Sequence, residues 1–268
     1  MSGNFLESLL GPATSTLDPR ESARRGAKRV LPKRFWRDVT IVEREGGFAV
    51  ALDGRAARTP LRHELAVPSL PLCEALAAEW RALEQEIDPA KMPLTRLACA
   101  AIDAVSLAPL SVAAEVVKYA SSDLLCYREA VNERLAARQA AHWDPPLAYM
   151  REAYGVRFRL AAGVMFVEQP SEALEAVLRA VALLPVPFGL AALHSATTLT
   201  GSAILALALA AGRLSPDEAW AAAHVDEDFQ IETWGEDEEA MQRRSARRAE
   251  FDAAVLVLAM TQRARSSE

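Results

Sequence analysis

Cysteine is scarce: Cys73, Cys99 and Cys126 are the only three in 268 residues. They are odd in number and widely spaced, they lie in helical contexts such as LCEALAAEW, and no two have zinc-ligand spacing. A disulfide framework and a structural zinc site are therefore set aside in favour of buried thiols in a reducing compartment. Aromatic residues make up only 6% of the chain. The recognisable catalytic signatures are also missing. There is no glycine-rich phosphate loop, no G-x-S-x-G turn and no H-E-x-x-H helix. The four histidines, His63, His142, His194 and His224, lie far apart, none within four residues of another. No cofactor, no metal and no catalytic residue is expected on this basis.

A long apolar run is nearly absent too. The one stretch to test is GLAALHSATTLTGSAILALALAAG, residues 189–212, long enough on length alone to span a membrane. Five Ser and Thr residues dilute it, and its dense part, Ala203 to Ala211, is short and alanine-rich, so it reads as a central core helix of a protein without a membrane span. The N-terminus carries no continuous apolar segment of the signal-peptide type.

The composition that remains favours helix. Hydrophobic residues reach 51%, and about a fifth of the chain is alanine, a strong helix former that buries little surface. The net charge of −6 argues against bulk nucleic-acid binding, but the charge is unevenly spread. Arg20 to Arg37 holds eight basic residues against one acid, whereas Asp217 to Glu239 holds ten acids with no Lys or Arg.

Residues 1–31 lack periodicity and read as a flexible basic N-terminal arm. From Phe35, β-branched and apolar runs cut by Gly46-Gly47 and by Asp53-Gly54 predict an antiparallel meander. Leu72, Leu76, Trp80 and Leu83 recur at helical spacing and predict a helix on that sheet. Further helices are expected from near Leu94, over 111–122, and over 133–153 with a bend or break at Pro145-Pro146. Alternation in VRFRLAAGVMFVEQP predicts a strand near 156–168, a candidate to return to the first sheet. Beyond it only helix is expected. The fold class is therefore α+β: a β-rich N-terminal domain over 32–130, an antiparallel sheet with packed helices, followed by an α-helical orthogonal bundle over 131–268.

The segment DEDFQIETWGEDEEA, residues 226–240, packs eight carboxylates into fifteen residues around Trp234 and Gly235. A metal site, paired catalytic acids, a docking surface and a solvated face are all open. It lacks the D-x-D-x-D-G calcium loop. If the segment is one helix, Trp220, Glu227, Gln230, Ile231, Trp234, Glu238 and Met241 fall within one arc of roughly 100 degrees. Only Glu227 and Glu238 among the acids share that arc, either as acids paired within the protein, with an arginine of RRSARR at 243–248, or as part of a surface for a partner. An enzyme using Glu227 and Glu238 in a cleft is the alternative from a different class.

The succession KRFWRDVTIVEREGGFAVALDGRAARTP, AEWRALEQEIDPAKMPLTRLACAAID, SSDLLCYRE and DEDFQIETWGEDEE closely resembles the assembly chaperones that bind the α subunit of F-type ATP synthase, found in mitochondria and some bacteria. The resemblance runs in order from about Lys33 to Phe251. It implies a non-enzymatic chaperone that holds free α subunits until β subunits replace it. It also implies partner binding through the Q-x-x-x-WG-x-x-E pattern at Gln230, Trp234, Gly235 and Glu238, with Glu227 on the same arc and Glu238 as the functional acid. The compartment expected is a bacterial cytoplasm, or the mitochondrial matrix in a eukaryote.

Overall fold

The computed structural model describes residues 31–163 and 165–265, so the N-terminal arm lies almost wholly outside the described residues. The chain divides into two compact units, one ending at Asp103 and the other beginning at Ala104.

In the first unit, β1 (Val39–Arg44) and β2 (Gly47–Leu52) pair antiparallel from Val39 opposite Leu52 to Arg44 opposite Gly47. Asp53 and Gly54 follow at φ +48° and +79°, both left-handed, as the tight turn into β3 (Arg55–Ala56) requires. The Asp53 carboxylate fixes that turn by accepting from the backbone N–H groups of Arg37 and Asp38. β4 (Ala66–Val67) pairs with the start of β2. Gly47 is obligatory there, because a Cβ would stand 2.3 Å from the Val67 carbonyl oxygen.

Helix α1 (Leu70–Ala82) covers β1 and β2, burying Leu72, Leu76 and Trp80 at the expected spacing. Its Glu79 carboxylate accepts from the N–H groups of Leu94 and Thr95, each at 2.8 Å, and from the Thr95 hydroxyl at 2.7 Å. Those donors open α2 (Pro93–Ala100), so the AEW and MPLT segments of the sequence are two halves of one helix cap. Asp103 closes the unit, accepting from the Thr59 hydroxyl and the Leu61 N–H and contacting His63 Nδ1 at 2.8 Å.

The second unit is helical: α3 (Pro109–Ser121), α4 (Glu133–Tyr154), α5 (Ser171–Ala182), α6 (Phe188–Thr200), α7 (Ala203–Ala210), α8 (Pro216–Ala223), α9 (Val225–Trp234) and α10 (Glu238–Arg265). α7 is buried along its whole length, packed against α4, α5, α6 and α8 among others. Helix α3 packs against α5 and α6, which carries this unit back to Ala104, well before the break near residue 130 expected from sequence.

Three sequence expectations need correction. The strand near 156–168 does not return to the first sheet. Only Ala161–Ala162 (β6) forms a ladder, and it pairs parallel with Tyr127–Arg128 (β5) in a sheet of its own. The amide of buried Gln169 supplies the neighbouring contacts, accepting from the Arg159 N–H and donating to its carbonyl. Residues 189–212 are buried as expected but form two helices, parted where Gly201 takes φ +69° and Ser202 caps α7. Of the bend or break expected at Pro145-Pro146, the break does not occur: α4 runs through to Tyr154, with Trp143 Nε1 donating to Ala222 O at 2.7 Å and Met150 buried. Among the described residues no single helix is long and apolar enough to cross a membrane. All three cysteines are buried and unpaired. Burial pushes the Cys73 thiol up to about 11 and those of Cys99 and Cys126 up to about 12.

Asp123 joins distant parts of the second unit. It is fully buried and receives the N–H groups of Leu125 and Ile204, with further bonds from Ser202 and Ala203. Burial lifts its carboxyl to about 6, above the roughly 3.9 of an unfolded chain. The folded protein thus holds this proton more tightly. The stabilisation this supplies is full below the unfolded value and is lost as pH rises through the folded one. Asp123→Asn, which strands buried donors, should cost about 1–3 kcal/mol. Because Asn does not titrate, the gap to wild type should widen between about pH 7.5 and about pH 4.5 in denaturant melts. A gap that is absent, or that narrows toward acid, would contradict this role.

Candidate partner-binding site

The acidic stretch is not one helix. Gly235 adopts φ +92° and ψ 173°, so α9 ends at Trp234 and α10 starts afresh at Glu238. Asp237 caps the new helix, its carboxylate accepting from the N–H groups of Glu239 at 2.9 Å and Ala240 at 3.4 Å. The seven-residue arc is therefore divided. Trp220 belongs to α8 and is a core residue, its ring 4.0 Å from that of His224 and 5.3 Å from that of Phe251.

Within α9 itself the two sides differ sharply. One side is tied down. Asp226 accepts from Gln139 Nε2 at 2.8 Å, and the same buried amide accepts from the Glu129 N–H through Oε1. Glu232 accepts from Arg138 at 2.6 Å and Arg134 at 3.5 Å, with the Arg134 guanidinium over the Phe229 ring. Asp228 pairs with Arg244 of α10. At roughly 100 degrees per residue, Glu227, Gln230, Ile231 and Trp234 point the other way. Glu227 and Gln230 are exposed, and Trp234 is 85% exposed.

This sorts seven of the eight carboxylates by what they already hold. Asp226, Asp228 and Glu232 fasten α9, Asp237 caps α10, and Glu239 pairs with Arg243 at 3.2 Å. The arginines of RRSARR are engaged elsewhere: Arg243 with Glu239, Arg244 with Asp228, Arg247 with Leu199 O, and Arg248 with Asp217 and Asp252. Glu238 is exposed and makes no ion pair among the described residues, so neither neighbour in GEDEE is as free to meet a partner. Glu227 lies 3.8 Å from His224 Nε2. That imidazole donates Nδ1–H to Trp220 O, and burial lowers its pKa.

The four residues singled out from sequence thus stand at the surface, three on one side of α9 and Glu238 just past the break. The supports were barely legible in the sequence. Arg134, Arg138 and Gln139 sit about ninety residues away, and the only trace is an i, i+4 pair of arginines on one helix face. Glu227 and Glu238 are both solvent-facing, whereas paired acid–base catalysis sets one carboxyl in a desolvated environment. Among the described residues no group of three or more His, Cys, Asp or Glu is placed to hold a metal ion.

The chain matches the family described as ATP12 chaperone protein over residues 33–151. It is 23% identical over 220 residues to Protein atp12, mitochondrial, of Schizosaccharomyces pombe, covering 78% of this chain and 75% of that one. Among solved structures it is 44% identical to the Atu1473 protein of Agrobacterium tumefaciens, covering 94% of this chain and 93% of the other, with a TM-score of 0.82. It is 41% identical to Atp12 from Paracoccus denitrificans, covering 86% of this chain and 98% of that one, with a TM-score of 0.79.

If the outward side of α9 plays no part in folding, Trp234→Ala should change stability by no more than about 0.5 kcal/mol. Trp143→Ala, which empties a buried site and leaves the Ala222 carbonyl unpaired, should cost about 3–5 kcal/mol. Denaturant titration of the two variants checks this. Equal losses would mean that Trp234 is a packing residue.

Proposed function

This chain belongs to the ATP12 chaperone family, and on that premise we propose that it binds the free α subunit of F-type ATP synthase and shields its apolar interface until the β subunit replaces it. The extent of the likeness to Paracoccus denitrificans Atp12, which takes in nearly all of that chain, supports a role in ATP synthase assembly. The observation that carries the binding surface is Trp234, a large apolar side chain left in solvent beside carboxylates that the fold does not use. An exposed aromatic ringed by polar groups is the usual make-up of an interface anchor.

The physics of the task needs no catalysis. An unassembled subunit exposes apolar surface of the kind that drives aggregation. A chaperone need only cover it more tightly than the subunit covers itself and lose to the larger interface of the finished complex. Glu227, Gln230 and Glu238 would then set orientation and reject wrong partners, with most of the contact energy resting on Trp234. The working site is where α subunits await assembly, a bacterial cytoplasm or a mitochondrial matrix.

Affinity-tagged protein should recover the α subunit from a cell lysate. Trp234→Ala and Glu238→Gln should each reduce recovery at least tenfold with the melting temperature unchanged, while Glu236→Gln, two residues past Trp234, should not. Glu232→Gln is unsuitable as a neutral control, because it releases Arg134 and Arg138. Recovery of no α subunit would overturn the assignment. Wild-type recovery by both site variants would move the contact elsewhere.

A further inference from the structure

The segment between α4 and α5 has one satisfied edge and one open edge. On the satisfied side, the Arg159 N–H and C=O both engage the Gln169 amide, at 2.8 and 2.9 Å. Ala161 stands in the ladder opposite Tyr127, and the Gly163 N–H donates to Arg128 O at 2.8 Å. Backbone groups of an extended chain alternate in direction from one residue to the next. Phe158, Leu160 and Ala162 therefore turn theirs to the opposite edge, where among the described residues they meet no backbone partner.

A groove runs beside this segment. Phe158, Leu160 and Arg157 form one wall, and Leu147, Ala148 and Arg151 of α4 face them. Leu160 is 51% exposed, and the chain just beyond continues apolar and exposed at Met165 and Phe166. The charge of the groove is as telling. In a protein of net charge −6, Arg151 and Arg157 are exposed and neither pairs with an acid among the described residues. The acid that does border the groove, Asp144, is taken by Arg128 at 2.8 Å.

We propose that this groove is a second client contact, where the edge of residues 158–162 accepts an extended, acid-bearing segment of the client as an added strand. Main-chain bonds to Phe158, Leu160 and Ala162 supply the pairing, as in other strand-addition complexes. Leu147, Phe158 and Leu160 bury the client's apolar side chains. Arg151 and Arg157 select a carboxylate, for which the guanidinium fork is well shaped. The inference rests on the α subunit being the client. It adds a contact of positive charge to the acidic edge at Trp234, so the two would read different features of one partner.

The test uses the full chain with purified α subunit and follows amide exchange by NMR. The Phe158, Leu160 and Ala162 amides should slow at least tenfold in the complex. Arg151→Glu combined with Arg157→Glu should weaken α-subunit binding at least tenfold without lowering the melting temperature, and Trp234→Ala should leave the slowing of these amides intact in whatever complex still forms. A complex that forms without slowing there, or that the double variant forms as well as wild type, overturns this contact and leaves the proposed function standing. Slowing that depends on the concentration of this protein alone assigns the edge to a second copy and also overturns it. Failure to form any complex overturns both.

Discussion

A carboxylate can be buried without a cation only if donors surround it, and the helical unit is arranged around one that is. Asp123 draws together the turn before β5 and the start of α7, 81 residues away along the chain, by accepting from the Leu125 and Ile204 N–H groups. That bond orients α7, whose eight residues are all buried and on which α4, α5, α6 and α8 pack. The same device recurs in the other unit, where Glu79 caps α2 and Asp103 gathers the Thr59 loop. In each case a short acid replaces the backbone partners that a helix start or a tight loop lacks.

The acidic stretch follows the same logic, and so its density misleads. Five of its eight carboxylates are fastened to something: Asp226 to Gln139, Glu232 to Arg138 and Arg134, Asp228 to Arg244, Asp237 to the first turn of α10, and Glu239 to Arg243. These ties immobilise α9 by one side. They also leave the other side, with Trp234 at its end, presented on a tethered helix, which would lower the entropy lost by a partner docking there.

Much of the fold was legible in the sequence because its signals are local. Asp53-Gly54 announces the hairpin by the φ values it tolerates, and Leu72, Leu76 and Trp80 announce α1 by their spacing. What was missed depends on distant partners. Gly201 and Gly235 could each have been tolerated within a helix. They end helices here because Ser202 and Asp123 supply a fresh cap in one case and Asp237 in the other. Pro145 and Pro146 signal a bend or a break, and tertiary packing at Trp143 and Met150 carries the helix through them unbroken. The strand near 156–168 was real in its alternation but found a side chain, Gln169, where a sheet edge was expected. Of the candidate site, the outward positions on α9 could be picked out by helical angle, and Glu238, past the break, only by resemblance, whereas the inward role of Glu232 could not, since its cations lie on α4.

If Trp234 is the anchor proposed above, its side chain meets the α subunit directly. A benzoylphenylalanine photocrosslinker placed at position 234, in the full chain mixed with purified α subunit and irradiated, reads this contact. An adduct with the α subunit should form and be abolished when the β subunit is added first, and the same probe at the buried position of Trp220 should give none. A stable complex that yields no adduct from position 234 would contradict it.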